Sequence, residues 1–434
     1  MGRLPRIPSF NLLSQAGRVP SGLRPVIHHT HQGRHPVPTH RPWLDPAGDT
    51  GPGMQARIRK SGSAPIRRGS FTKRMDDGGS HPLPMAQVTP LKQWWSERGQ
   101  RTGAQRQAAS ERLEQELRSQ SPADWLDRLC AASRNILDHT MLLLMRFASP
   151  QELGELFRLA AEDSRAQASA SLQQGLNGWR QTLLTLTPDL FSAQPLFRRT
   201  EIQQAPGHSL LHYTLRADAV ADPSSGRGLV IGTHGRAGML MAPTACILNV
   251  LAAMQHDLLI VRWDPCSGGL DQDSALIEAI EHHLRQAFAA ELPRAVSLGT
   301  SAGALPSLAL ALRLGLKRAV AVAASPAQRL QLLDDALGCW NVDQPGELLL
   351  TASAGNHTDR QTAETLRDHL QARRPDQLKV HCHLFEGCSL HAPFKELASR
   401  GVTLDAVLPR LLLDPLADLS DSGPDRVLRR PSVA

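Results

Sequence analysis

The stretch RAVSLGTSAGALPSLALALRLG, residues 294–315, constrains the fold of this chain more than any other. A short apolar segment typical of a buried strand leads into Gly299-Thr300-Ser301-Ala302-Gly303, and an apolar run with helical character follows. A G-x-S-x-G sequence between a strand and a helix is typical of a sharp turn that presents a serine at the strand's end. The positions two before and two after that serine must be small, and both are glycine. We therefore expect Ser301 to be a nucleophile rather than a solvated turn residue.

Strand and helix patterns alternate around this turn, from residue 191 to residue 415. Short apolar runs at 228–232, 258–262 and 378–385 predict buried strands, and segments with helical periodicity lie between them. Such alternation predicts a mostly parallel sheet with helices on both faces, which is an α/β fold. The sequence contains no P-loop and no dinucleotide-binding fingerprint.

The order of these parts resembles that of the α/β-hydrolase superfamily across residues 191–415. In that superfamily the nucleophile follows the fifth strand, the acid follows a later strand and the histidine follows the last. The resemblance implies a triad in which Ser301 attacks, His391 acts as general base and Asp359 orients the imidazole. We expect an α/β-hydrolase catalytic domain on this basis.

The acid is the least certain member of that triad in the sequence. Asp359 stands one residue further from the preceding glycine than is usual in the superfamily, and its carboxylate could instead cap a helix. Asn356 could support the histidine without carrying charge. Asp343 is too early for the acid loop, and Asp264 follows the fourth strand, where a side chain usually shapes the pocket. Asp359 is the preferred acid.

Two backbone N–H groups are predicted to hold the oxyanion. The N–H of Ala302 would lie at a helix N-terminus, where it can stabilise developing negative charge. The resemblance implies that the second donor follows the third strand, where the chain reads Thr233-His234-Gly235-Arg236. Either Gly235 or Arg236 could supply that N–H group, and the sequence does not separate them.

Charge and cysteine usage exclude several other classes of protein. The net charge of +7 belongs to residues 1–84, which carry 13 Lys and Arg against 4 Asp and Glu, so the remainder has no basic excess that would indicate nucleic-acid binding. The six cysteines show no C-x-x-C spacing, which favours a reducing compartment and gives no metal or cofactor site. The most apolar run, residues 239–254, is too short to span a membrane. We expect a cytoplasmic protein that needs no cofactor and no metal.

The chain is predicted to have four parts. Residues 1–84 form a basic leader rich in Pro and Gly, expected to be disordered. It could be a tail, a targeting segment or an extension before a start at Met85. Residues 86–190 show three or four amphipathic helices: a highly charged one at 108–119 that is expected to lie mostly in solvent, one from 122 to about 146, and one from 150 that could continue to Trp179. Residues 191–415 form the catalytic domain, in which a helix is expected at 361–372, and 416–434 form a flexible tail.

A second, weaker resemblance lies in the helical region. The sequence Phe147-Ala148-Ser149-Pro150-Gln151-Glu152-Leu153, followed by a polar amphipathic helix, is similar to phasins, the helical proteins that coat polyester storage granules. This likeness would imply attachment to a hydrophobic particle through residues 86–190.

The sequence as a whole predicts a serine hydrolase that cleaves an ester or thioester through an acyl-enzyme. Its substrate would be a small-molecule or lipid-like ester. Two alternatives remain open: an intracellular polyester depolymerase, and a granule- or partner-binding protein that uses the α/β domain as a scaffold.

Overall fold

The computed structural model describes residues 103–192, 197–203, 208–216, 227–263, 274–326, 330–340, 346–373 and 378–414. By their contacts, all of these residues belong to one compact unit of the chain. The predicted leader, the predicted tail, Asp264 and Asp343 lie outside the described residues, and the predicted domain boundaries stay predictions.

An eight-stranded sheet forms the centre of this unit, in the order β1-β2-β4-β3-β5-β6-β7-β8. Its strands are β1 (Phe197–Gln203), β2 (His208–Leu215), β3 (Gly228–Thr233), β4 (His256–Trp263), β5 (Ala295–Thr300), β6 (Arg318–Val322), β7 (Gly346–Ser353) and β8 (Leu378–Phe385). Strand β2 is antiparallel to both of its neighbours, and all other pairs are parallel. This mostly parallel α/β-hydrolase-type sheet confirms the predicted fold class. The strand order reverses at β3, and ligands of open α/β sheets bind at the carboxyl ends of strands beside such a point.

Helices cover both faces of the sheet. One face and its helices share a continuous apolar core, to which α8 (Ser274–Ala287), α9 (Ala304–Leu314), α10 (Gln331–Cys339) and α11 (His357–Arg373) contribute. On the other face, α7 (Thr244–Ala253) packs on β4, and α13 (Leu404–Leu413) packs on both β6 and α7. The short helix α12 (Pro393–Ser399) lies between β8 and α13 in the chain.

The N-terminal helices are more broken than the sequence predicted. They are α1 (Gly103–Arg118), α2 (Pro122–Cys130), α3 (Arg134–Leu144), α4 (Pro150–Glu162), α5 (Ser164–Ala168) and α6 (Ala170–Leu186). Capping boxes at Ser121 and Ser149 start α2 and α4, each with proline at the first helical position. The prediction of a single helix from residue 122 to about residue 146 was wrong, because the chain turns at 131–133. The prediction that one helix continues unbroken from Ser149 to Trp179 was also wrong, because Asp163 and Ser169 each cap a new helix.

The many charges of helix α1 suggested that it lies mostly in solvent, but one side of the helix is buried. Leu113 and Leu117 are buried, and Glu114 is fully buried between three arginine side chains. The Glu114 carboxylate lies 2.5 Å from Arg262 of β4, 3.1 Å from Arg146 and 4.0 Å from Arg118. A buried carboxylate is stabilised only when cations and hydrogen bonds replace its hydration; the three guanidinium groups supply the positive charge, and Arg146 donates a hydrogen bond to Oε2.

The corner between α3 and α4 joins the helical region to the sheet. The buried hydroxyl of Tyr213 on β2 donates to the Phe147 carbonyl at 2.5 Å. At the start of α7, Thr244 donates its N–H to the Met145 carbonyl at 2.8 Å and its hydroxyl to the Arg146 carbonyl at 2.7 Å. Three successive carbonyls of this corner are therefore bonded to the α/β part of the protein. No helix within the described residues has both the length and the apolar character needed to cross a membrane.

Candidate active site

Ser301 stands at a strained turn between β5 and α9. Its φ of 52° lies in the left-handed region, which a residue with a side chain adopts only when its surroundings hold it there. A Cβ atom on Gly303 would collide with the carbonyl oxygens of Thr233 and His234, and one on Gly299 would lie 2.6 Å from the Gly303 carbonyl. The Thr233 hydroxyl also donates to that Gly303 carbonyl at 2.6 Å. The two glycines thus let β3, β5 and α9 approach closely enough to form the turn.

The structure brings Ser301, His391 and Asp359 together. His391 Nε2 lies 2.8 Å from Ser301 Oγ, although the two residues are 90 positions apart in the chain. His391 Nδ1 lies 3.0 and 2.9 Å from the two carboxylate oxygens of Asp359. The Asp359 side chain is 5% exposed and that of His391 is 35% exposed, so the carboxylate is shielded while the imidazole reaches solvent.

Helix α11 begins four residues earlier than the sequence indicated, at His357 rather than at residue 361. Asp359 therefore lies in the first helical turn, and the extra residue after Gly355 is absorbed by the cap. Asn356 Oδ1 accepts the N–H of Asp359 at 3.1 Å. Asn356, and not Asp359, therefore caps this helix. Asp359, and not Asn356, contacts the histidine.

Several bonds hold the segment that carries His391. The Ser353 hydroxyl at the end of β7 donates to the Leu390 carbonyl at 2.5 Å, and Gly355 N–H donates to the Cys388 carbonyl at 2.7 Å. Glu396 Oε2 accepts the N–H groups of Ser389 and Leu390 at 2.6 and 2.8 Å.

The environment of Glu396 keeps it charged. Burial alone would raise the pKa of this carboxyl, but the two N–H donors and Arg400 outweigh it and lower the pKa below its usual value. A negatively charged Glu396 is the stronger acceptor, so the loop before His391 is held firmly at neutral pH.

The two alternatives for the second oxyanion donor have different environments. Gly235 N–H donates to the Met239 carbonyl at 3.3 Å, so it is already engaged within its own loop. Among the described residues no backbone carbonyl accepts the N–H of Arg236, whose side chain is exposed. A Cβ atom on Gly235 would lie 2.9 Å from Ser301 Cβ, which places this loop directly against the serine. Ala302 lies in the single helical turn Ser301–Gly303 that precedes α9, where the first N–H groups have no acceptor within the helix.

His234, beside these donors, is buried in an unusual setting. Its ring stacks on Trp263 with centroids 4.2 Å apart and an angle of 4°, and its Nδ1 lies 2.8 Å from the Gly235 carbonyl. Burial, together with the nearby Arg262 cation, lowers the pKa of His234 to about 3. The imidazole is therefore neutral at pH 7, and it packs against the loop after β3 without adding charge.

Three side chains at the site escaped the sequence analysis: Ser325, Ser353 and Glu396. Ser325 Oγ lies 3.3 Å from Ser301 Oγ. Ser353 closes β7 and Glu396 lies on α12, and neither belongs to a motif. Ser325 and Ser353 act through contacts with segments 24 and 37 positions away, which no spacing rule reveals. Glu396 contacts the loop six and seven residues before it, and no turn motif marks that contact. Among the described residues, no group of three or more His, Cys, Asp or Glu side chains is placed to hold a metal ion.

Comparison with known proteins gives a fold and little more. No family model matches the chain, and no curated protein matches it. Solved structures that are similar include the acylaminoacyl peptidase of Pyrococcus horikoshii, with 11% identity, a TM-score of 0.34, and coverage of 55% of this chain and 45% of that one. The dienelactone hydrolase of Anabaena variabilis has 15% identity and a TM-score of 0.36, with coverage of 51% and 100%. An esterase of Pyrococcus furiosus has 12% identity and a TM-score of 0.32, with coverage of 49% and 92%.

These proteins are named as a peptidase, a hydrolase and an esterase, but scores this low carry no argument about the activity of this chain. The match spans less than half the length of the peptidase. The functional argument therefore depends on the geometry of the site in this chain.

Proposed function

We propose that this protein is a serine hydrolase that cleaves a carboxylic ester or thioester through an acyl-enzyme intermediate. The observation that supports this most directly is the continuous chain of contacts from Ser301 Oγ through the His391 imidazole to the Asp359 carboxylate. A nucleophile, a base within 2.8 Å of it and an orienting carboxylate are the parts that activate a serine hydroxyl.

In this mechanism Ser301 Oγ attacks the carbonyl carbon while its proton passes to His391 Nε2. The Asp359 carboxylate accepts the Nδ1–H of the ring and stabilises the imidazolium that forms. The carbonyl oxygen becomes an oxyanion, held by the N–H groups of Ala302 and Arg236, since the N–H of Gly235 is engaged. His391 then gives its proton to the leaving alcohol or thiol. In the second half of the reaction water gives a proton to His391 and attacks the acyl-enzyme, and Ser301 Oγ leaves with that proton as the acid is released.

The parts proposed here would serve a peptidase, an acyltransferase or a polyester depolymerase equally well. We place an ester or thioester first because an alcohol or thiol departs more readily than an amine, so these substrates make the least demand on the site. Nothing in the comparisons supports the phasin-like alternative. The apolar face of α4 that a granule would need, with Leu153 and Leu156, is buried within the fold. The five cysteines among the described residues are free thiols, which supports the proposed cytoplasmic location.

A fluorophosphonate probe tests this proposal because it reacts with activated serines. We expect stoichiometric labelling of the full chain, and loss of labelling in Ser301→Ala. The matched control is Ser119→Ala, whose hydroxyl lies on the exposed end of α1, and it should label like the parent. A folded parent protein that does not label would overturn the proposal, and the scaffold alternative would then be favoured. A series of p-nitrophenyl esters of increasing acyl length would next define the substrate.

A further inference from the structure

A second hydroxyl reaches the proposed nucleophile from the strand beside it. Ser325 follows β6, and its Oγ lies 3.3 Å from Ser301 Oγ. Its backbone N–H donates to the Ser301 carbonyl at 3.2 Å, which joins the two residues a second time. The approach depends on a bend at Ala323, where φ is 46° and the N–H donates to the Thr351 carbonyl at 2.7 Å. Positive φ at a residue with a side chain is costly, so the surrounding strands hold this bend in place.

The direction of the hydrogen bond between the two serines follows from counting protons. An ionised Asp359 can only accept, so His391 Nδ1 must carry the hydrogen that points at it. A neutral imidazole then has a bare Nε2, which can only accept, and the single hydrogen of Ser301 is directed to it. Ser301 Oγ has no hydrogen left for its second hydroxyl neighbour. In the resting state the hydrogen bond between the two hydroxyls therefore runs from Ser325 to Ser301.

We propose that Ser325 is a further catalytic residue, whose hydroxyl donates a hydrogen bond to the attacking oxygen of Ser301. This inference rests on the hydrolase function proposed above. As the Ser301 proton moves to His391 Nε2, negative charge develops on Oγ, and a hydrogen bond to a charged acceptor is stronger than one to a neutral hydroxyl. An Oγ lone pair forms the bond to the carbonyl carbon, the carbonyl π pair moves to its oxygen, and Ser325 keeps its own proton throughout.

The contribution of Ser325 is expected to differ between the two halves of the reaction. In the acyl-enzyme, Ser301 Oγ is an ester oxygen with little negative charge and accepts hydrogen bonds poorly. A donor that acts on Oγ therefore assists attack of Ser301 on the substrate, and the later departure of Oγ, more than attack of water on the acyl-enzyme, which is the step expected to limit deacylation. Differential stabilisation of this kind changes the rate of one step, whereas a structural role would affect both.

The experiment compares Ser325→Ala, which removes the hydroxyl, with Ser325→Thr, which keeps it. Stopped-flow measurements with a p-nitrophenyl ester separate acylation, seen as a burst, from deacylation, seen as the steady state. The rate of fluorophosphonate labelling reports the first step independently. We expect Ser325→Ala to slow acylation and labelling roughly tenfold while deacylation stays within about twofold, as for one hydrogen bond to a partly charged atom. Ser325→Thr should recover most of the acylation rate.

Two results would overturn the role of Ser325 while leaving the hydrolase proposal intact. One is acylation in Ser325→Ala as fast as in the parent. The other is an equal loss in both steps, with no recovery in Ser325→Thr, which would assign the residue to the structure of the turn alone. Absence of labelling in the folded parent would instead refute the proposed function itself, so the two failures are distinguishable. Circular dichroism and thermal unfolding establish that each variant is folded.

Discussion

His391 Nδ1 lies 2.9 Å from Asp359 Oδ2, and that carboxylate is held in the first turn of a helix rather than in a mobile loop. The Asn356 cap fixes the backbone of Asp359, and burial of the carboxylate limits competition from water. The imidazole therefore has one favoured tautomer, with its hydrogen on Nδ1 and its acceptor facing Ser301.

Asp359→Asn tests this relationship, since asparagine keeps the shape of the side chain and loses its charge. An amide can present its NH2 group to Nδ1, which favours the wrong tautomer and leaves the imidazolium without a counter-charge. We expect kcat/KM for a p-nitrophenyl ester to fall by roughly 10³- to 10⁴-fold, as when the acid of a comparable triad is replaced. Thermal unfolding should change little. Retention of activity within tenfold would contradict the role of Asp359. Asp359→Glu, which keeps the negative charge, is the conservative control.

Gly303→Ala tests the close approach of β3 and α9. The added methyl would collide with two backbone carbonyls, which cannot rotate away as a side chain can. We expect a loss of about 2–3 kcal/mol in the free energy of unfolding, in the range for overpacking, together with loss of esterase activity. Urea denaturation measures the first effect. Gly178→Ala is the matched control, because nothing lies within 4 Å of its added Cβ on helix α6; its stability should stay equal to or exceed that of the parent. Equal effects of the two substitutions would argue against this packing.

Glu114→Ala tests whether the buried carboxylate holds its three arginines together. Removal leaves Arg118, Arg146 and Arg262 without their shared counter-ion, and losses of about 3–5 kcal/mol in unfolding free energy are usual for half of a buried ion pair. Glu155, on the exposed face of α4, is also paired with an arginine. Glu155→Gln should leave the free energy of unfolding unchanged. Comparable unfolding curves for the two variants would refute the structural role of Glu114.

The same carboxylate predicts a loss of stability in acid. Burial alone would raise the pKa of Glu114, but Arg262, Arg146 and Arg118 outweigh it and lower the pKa below its usual value. A carboxyl with a lowered pKa in the folded state contributes stability above the unfolded value of about 4.3. That contribution should decline as the pH falls below 4.3 towards the folded pKa. Denaturant titrations between pH 6 and pH 3 should show this decline in the parent and not in Glu114→Ala.

His234 predicts a separate change of stability at higher pH. Its pKa is about 3 in the folded protein, against about 6.5 in an unfolded chain, so the unfolded state binds a proton that the folded state excludes. Stability should be complete above pH 6.5 and fall as the pH decreases, by about 2 kcal/mol between pH 6.5 and pH 5. His234→Phe keeps a ring against Trp263 and should abolish this part of the dependence. The difference between the two urea-unfolding profiles measures it, and parallel profiles would contradict the burial of a neutral imidazole.

The sheet and the turn at Ser301 could be predicted because both are local signals. His391 and Asp359 were chosen from their order along the chain, which only the superfamily resemblance supplied. The five residues 299–303 carry their own steric requirement, and β8, at 378–385, is bounded as its apolar pattern indicated. The contacts of Ser325 and Ser353 could not be predicted, since each joins segments that only the folded sheet brings together. The Glu396 contacts lie within one loop and the helix after it, but they follow no sequence motif. The end of α2 at Cys130 was missed because the helical pattern continues through the turn, and tertiary packing decided the break.

The three bonded carbonyls at residues 145–147 have a practical consequence for anyone who trims this chain. A fragment that starts at β1 would leave Tyr213 and Thr244 without acceptors, and would uncover the surfaces of α7 and α12 against which α4 and α6 pack. Such a fragment should be recovered as insoluble material, even though it retains the whole proposed triad. The smallest piece worth expressing therefore also includes α1, whose Glu114 pairs with Arg146 in that corner and with Arg262 on β4.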